Sequence, residues 1–173
     1  MKKLVQSIVM SEQGGRAAVT TFSNEAELQI KFSDHTSYST FETALEAVPY
    51  VGSTTKINLG LDVALEQMFK ESNGMRADVP QTMVLITDGQ QTGVDFKQLR
   101  ERFNHERIRT LIIGVGSVRE HDLRLLVNDD ADFYKADDFN ELLTDEFIKS
   151  INFCGGRLLF IHSFYFTYFN IRI

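Results

Sequence analysis

The sequence predicts an α/β domain built on an open, mainly parallel sheet with helices on both faces and an antiparallel edge hairpin. Three observations carry this. Met83-Val84-Leu85-Ile86 is a short, wholly apolar run that stops at Thr87-Asp88-Gly89, as parallel strands covered on both faces do. A second such run, Leu111-Ile112-Ile113, ends at Gly114 and Gly116, and between the two Phe96, Leu99 and Phe103 fall on one side of a helix. Strand, helix and strand in that order make a parallel βαβ unit.

The other elements follow in chain order. Leu4, Val5, Ile8 and Val9 have helical spacing, so the chain opens within a helix that Gly14-Gly15 breaks. Arg16 to Ser23 is β-prone, and Leu28 to Phe32 alternates strictly after Asn24-Glu25, which predicts a hairpin with an edge strand. Phe41, Ala44, Leu45 and Val48 form a helical stripe that ends at Pro49. A longer stripe runs through Ile57, Leu61, Ala64, Leu65 and Met68 after the polar loop Gly52-Ser53-Thr54-Thr55. Leu123, Leu126 and Val127 suggest a short helix and Phe133-Tyr134 a short strand. Phe139, Leu142, Leu143, Phe147 and Ile151 form a closing helix, with Asp138 and Glu141 as its capping box.

Composition narrows the function classes. A chain of 173 residues, 43% hydrophobic, is enough for one substantial core and one domain. Its 24 acidic and 18 basic residues give a net charge of −6 without long like-charge runs, so nucleic acid is not an expected partner. MKKLVQSIVMSEQ lacks the continuous apolar centre and small-residue cleavage site of a signal peptide. Cys154 is the single cysteine, which excludes an internal disulfide and a cysteine-cluster zinc site.

In open parallel sheets, ligands gather at the carboxyl ends of the strands, where loops meet helix N-termini. Asp88 follows a buried strand directly at that edge, and Thr55 precedes the long helix and presents a hydroxyl to the same edge. One carboxylate and one hydroxyl make a partial oxygen shell for a hard divalent cation such as Mg²⁺. Each has a plainer reading too. Asp-Gly after a strand is a common turn in which Asp bonds its own backbone and Gly takes a positive φ; Thr54 or Thr55 also suits the cap of the following helix.

Other motifs fail on spacing. Gly114-Val115-Gly116-Ser117-Val118-Arg119 has Arg where a dinucleotide fingerprint needs its third glycine, and reads as a strand-end turn. Asp129, Asp130, Asp132, Asp137 and Asp138 do not match a calcium loop and read as a solvated acidic stretch. His35, His105, His121 and His162 are scattered, and no nucleophile and base stand in register, so an enzyme is not expected.

Taken in order, VTTFSNEAELQIKF, Thr55-Lys56-Ile57-Asn58-Leu59-Gly60-Leu61, Met83 to Gly89 and Leu111 to Gly116 resemble the von Willebrand factor type A family, particularly the domains of matrilins and non-fibrillar collagens. The resemblance covers about residues 1–152. It implies a Rossmann-like sheet carrying a metal-ion-dependent adhesion site, where a ligand carboxylate completes the coordination of Mg²⁺, Mn²⁺ or Ca²⁺. Thr55 matches the family's threonine and Asp88 its later aspartate. The family's first metal-binding segment, Asp-x-Ser-x-Ser, does not occur in this chain, so the chain reads as starting partway through the first helix, with the first strand of the family fold missing.

What the resemblance implies is an adhesion or extracellular-matrix module that binds a protein ligand, with collagen or another matrix protein as the candidate class, secreted as part of a larger protein. The alternative is a metal-independent scaffold or interaction domain, inside or outside the cell. Residues 153–173 change character, and six of the chain's nineteen Phe and Tyr residues fall in 155–173. This tail is too short and interrupted for a membrane span, which takes roughly 20 apolar residues. It is expected to stand apart from the family fold as an extension; an added edge strand, a self-associating segment, or Leu158 to Ile161 filling the place of the missing strand are the alternatives.

Overall fold

The sheet has six strands in the order β2-β1-β6-β3-β4-β5, in a computed structural model that describes residues 5–6, 9–49, 55–151 and, as backbone, 163–169. β1 (Arg16–Phe22) and β2 (Ala26–Ile30) form the hairpin, antiparallel, with Phe22 opposite Ala26 and a register shift between Val19 and Thr20. β3 (Gln81–Thr87), β4 (Ile108–Val115) and β5 (Phe133–Ala136) run parallel, each paired with the next. Both apolar runs of the sequence lie in the sheet interior: every residue of β3 is buried, and only Arg109 of β4 is not. The hairpin stands at one edge, which is why only one face of β2 reads as apolar.

Helices cover both faces. α1 (Tyr38–Ala47) is capped by Ser37, whose Oγ accepts from Thr40 N, and it buries Phe41. α2 (Ile57–Val63) continues into a π-helical turn (Ala64–Met68), in which Phe69 N bonds Ala64 O. The wider turn keeps Leu65 and Met68 of the predicted stripe buried. α3 (Phe96–His105) starts on Asp95, which accepts from Gln98 N, and it buries Phe96, Leu99 and Phe103. α4 (Glu120–Leu123) is short and leads through a 3-10 turn to Val127.

The predicted closing helix is in two pieces. Asp138 Oδ1 accepts from Glu141 N at 3.0 Å, and Glu141 reaches back to Asp137 N rather than to Asp138 N. This box caps only a 3-10 turn (Glu141–Leu143). Thr144 then takes an extended backbone and caps a separate α5 (Asp145–Ser150), accepting from Phe147 N. A threonine that bonds the backbone two to three residues on favours a cap over helix continuation, and the stripe of apolar residues does not reveal that break.

Two apolar cores sandwich the sheet. One contains Ala18, Phe22, Leu61, Met83, Leu85 and Ile112; the other contains Ala17, Val19, Phe41, Val84, Ile86 and Ile113. Neighbouring residues of β1, β3 and β4 thus point to opposite faces, as the period of two requires. Phe69 links Phe32 and Phe103 with ring centroids 6.4 and 6.3 Å apart. The acidic stretch is tied into the structure: Asp132 is buried and paired with Arg109, while Arg124 bonds Asp130 and lies 4.3 Å over the ring of Phe133.

β6 (Ser163–Phe169) lies between β1 and β3 and runs parallel to both. The expectation set residues 153–173 apart from the fold, with an edge strand, a self-associating segment or Leu158 to Ile161 in the missing strand's place as alternatives; the structure carries Ser163–Phe169 inside the sheet. Leu158 to Ile161, Cys154, His162, Thr54, and Leu4 and Ile8 of the predicted first helix lie outside the described residues. Val5 and Gln6 are helical, whereas Val9 of the same predicted stripe is outside any helix and exposed.

Candidate metal-binding site at the carboxyl edge of the sheet

β1 and β3 both end at the edge where the sequence places Thr55 and Asp88. β1 gives way to Ser23, whose carbonyl accepts from Lys56 N at 3.1 Å, so the start of α2 is bonded to the end of β1. Farther along α2, Gly60 lies so close to Phe22 that a Cβ there would come within 2.5 Å of the ring. The helix therefore rests directly on β1, which fixes the position of Thr55 two residues before Ile57.

β3 ends at Thr87 and gives way to Asp88 and Gly89. Thr87 Oγ1 accepts from Gly89 N at 3.1 Å and folds the backbone sharply after the strand. The turn brings Gly89 against Thr55: a Cβ at position 89 would sit 2.2 Å from Thr55 Cγ2 and 2.3 Å from Thr55 Oγ1. Gly89 has no positive φ. Space, not backbone conformation, requires glycine there, which corrects the turn-based reading of Asp-Gly.

The two predicted residues are thus neighbours, with the Thr55 side chain packed on the residue that follows Asp88. The Asp88 side chain is at the solvent rim, yet enough protein surrounds its carboxyl to raise its pKa; lost hydration is the main cause, and its own backbone N–H opposes the shift. No ion pair between described residues involves Asp88. A carboxylate at the rim that has lost hydration without gaining a cation favours an added positive charge.

The helix side of the site is held by a pair that the sequence reading missed. Gln91 Oε1 accepts from Asn58 N at 3.1 Å and Gln91 Nε2 donates to Asn58 Oδ1 at 2.5 Å. The N-cap position of α2 is Lys56, without a side-chain capping bond, so Gln91 from the β3–α3 loop supplies an acceptor to the helix's first turn. Thr55 makes no such cap. Gln90 continues the anchoring, its Nε2 donating to Ser117 O at 2.5 Å beyond β4. The partners are 33 and 27 residues apart in the chain, beyond the reach of any local pattern.

For a divalent cation, the described residues provide the Asp88 carboxylate and the Thr55 hydroxyl, both hard oxygen donors. Among the described residues no group of three or more His, Cys, Asp or Glu side chains converges on one point. The donor chemistry fits a partial shell whose other positions fall to water or to a ligand's oxygen.

An open, mainly parallel α/β sheet with Thr55 and the turn after β3 meeting at its carboxyl edge is the Rossmann-like arrangement in which ligands gather at strand ends. The von Willebrand factor type A domain family model matches residues 1–149, and the chain belongs to that family. It is 23% identical over 164 residues to the collagen alpha-1(XII) chain of Notophthalmus viridescens, covering 90% of this chain and 18% of the collagen. With mouse matrilin-4 it shares 26% identity over 141 residues, 78% of this chain and 22% of the matrilin. Proximal thread matrix protein 1 of the mussel byssus, solved with its MIDAS motif occupied by zinc, superposes with a TM-score of 0.75 at 24% identity, over 86% of this chain and 37% of that one. The chain spans about a fifth of the length of these curated relatives.

Proposed function

We propose that this chain is a protein-binding adhesion or matrix module, and that it meets its ligand through a divalent cation held in part by Thr55 and Asp88. The observation that carries this is the packing of Thr55 on Gly89, next to the Asp88 carboxyl at the solvent rim of the sheet's carboxyl edge. Two of the family's metal-associated positions come together there, although they are 33 residues apart in the chain.

The cation, when bound, supplies a Lewis-acidic centre that accepts an oxygen from a ligand carboxylate. The chain's own part is to hold donors still. Ser23 bonds the start of α2, Thr87 folds the turn, and Gln91 locks the turn to α2, so neither oxygen depends on a free loop for its position.

The relatives support a ligand class. A type XII collagen, a matrilin and a byssal matrix protein all belong to extracellular assemblies by name, which supports a matrix protein such as collagen as partner and a place outside the cell. None of the helices among the described residues is long and apolar enough to cross a membrane.

Solid-phase binding to immobilised collagens and matrilins tests the reading, in Mg²⁺ or Mn²⁺ and again in EDTA. Binding that is lost in EDTA and in Asp88→Ala is the expected result. Binding that survives both describes a metal-independent scaffold and overturns the metal part of the proposal.

A further inference from the structure

β1 and β3 are each bonded on their outer side, β1 to β2 and β3 to β4, and each turns its other edge toward the same slot. Without a strand between them, both edges would leave backbone N–H and C=O groups unpaired in the middle of the molecule. The slot also has a defined chemistry. On one face its walls are Ala18, Phe22, Met83 and Leu85, and on the other Ala17, Val19, Val84 and Ile86, all buried. A strand that enters has apolar surroundings above and below, so it must be apolar along its whole length instead of alternating with polar residues.

Ser163–Phe169, SFYFTYF, has that composition: five aromatic residues and a β-branched threonine in seven positions, with no charge, glycine or proline. In the structure it pairs with β1 from Arg16↔Ser163 to Phe22↔Phe169 and with β3 from Gln81↔Ser163 to Ile86↔Tyr168. We propose that the slot between β1 and β3 is a strand-acceptor site and that Ser163–Phe169 of the same chain is its resident donor strand, completing the sheet in cis.

Chain length permits this. From β5 the donor must cross to the far side of β4 and β3, three strand spacings or roughly 14 Å at about 4.8 Å each. Residues 151–162, between α5 and β6, reach about 40 Å when extended, enough to cross and to return along the sheet for a parallel entry. The strand also bears on the candidate site. Thr55 is next to Lys56, whose N–H bonds Ser23 at the end of β1, whereas Asp88 directly follows β3, and β6 is the strand that separates β1 from β3. The donor strand therefore lies between the two strands that carry the site's halves, and the proposal stands independently of any metal.

Hydrogen exchange read by mass spectrometry on the full chain tests it, at two protein concentrations and with the molar mass measured by light scattering. The expected result is a monomer in which amides of 164–168 exchange as slowly as those of 84–86. In Thr167→Pro, which a central strand does not accommodate, protection of both β1 and β3 should fall while that of α3 and β4 falls less. A tail that exchanges within seconds while β3 stays protected would overturn the proposal. So would tail protection found only in a dimer, which would assign the strand to a second copy, or β1 and β3 protection unchanged by Thr167→Pro. Since no metal is added, failure here leaves the metal reading untouched.

Discussion

Thr55 packs its side chain against Gly89, so closely that a single added methyl at position 89 would overlap it, with 2.2 Å to Cγ2. This contact joins the start of α2 to the turn after β3 and is the tightest link between the two halves of the candidate site.

Gly89→Ala should lower stability by about 1–3 kcal/mol, the usual range for overpacking a fixed contact. Because Gly89 has no positive φ, the loss comes from collision alone. Thr55→Gly in the same chain should then recover part of it. Urea midpoints of the two single variants and the double variant check this; a double variant whose loss is the sum of the two single losses would contradict the contact.

The Gln91–Asn58 pair should behave as one unit. Gln91→Ala leaves Asn58 N and Oδ1 without these partners, at a cost of about 1 kcal/mol. In a double-mutant cycle with Asn58→Ala the coupling should be about 0.5–3 kcal/mol, the range for residues in direct contact. Strict additivity would mean that the loop is held by other bonds.

Asp138 gives a pH signature. The Glu141 N–H it accepts, with further help from Asn140, holds its carboxyl below the ordinary 3.8 against a smaller desolvation effect. A lowered folded-state pKa means that this contribution is present above 3.8 and is lost as pH falls through the folded value. Asp138→Ala should therefore melt below the parent chain at neutral pH, with the gap closing in acid. Melting curves recorded across that range decide it; a gap that widens in acid would contradict the cap.

Much of the fold was legible because each central strand carries its own signal. Met83 to Ile86 and Leu111 to Ile113 are apolar without interruption since both sheet faces are covered, and the alternation after Leu28 marks a strand at the edge. Thr55 and Asp88 were legible as positions next to a strand end and a helix start. Gln91 was not, because its partner is set by how α2 crosses the end of β3. The place of Ser163–Phe169 was hidden for a related reason: an aromatic run is consistent with an edge, a core or a sticky tail, and only the vacancy between β1 and β3 selects among them. The break at Thr144 was missed because apolar spacing on either side continues through it.

The most direct test of the central claim is isothermal titration of the folded chain with Mg²⁺ and with Mn²⁺, beside Asp88→Ala and Thr55→Val. The account predicts saturable binding by the parent chain that disappears in Asp88→Ala and weakens in Thr55→Val. Heats that do not saturate in a folded parent chain, or binding unchanged by Asp88→Ala, would contradict it.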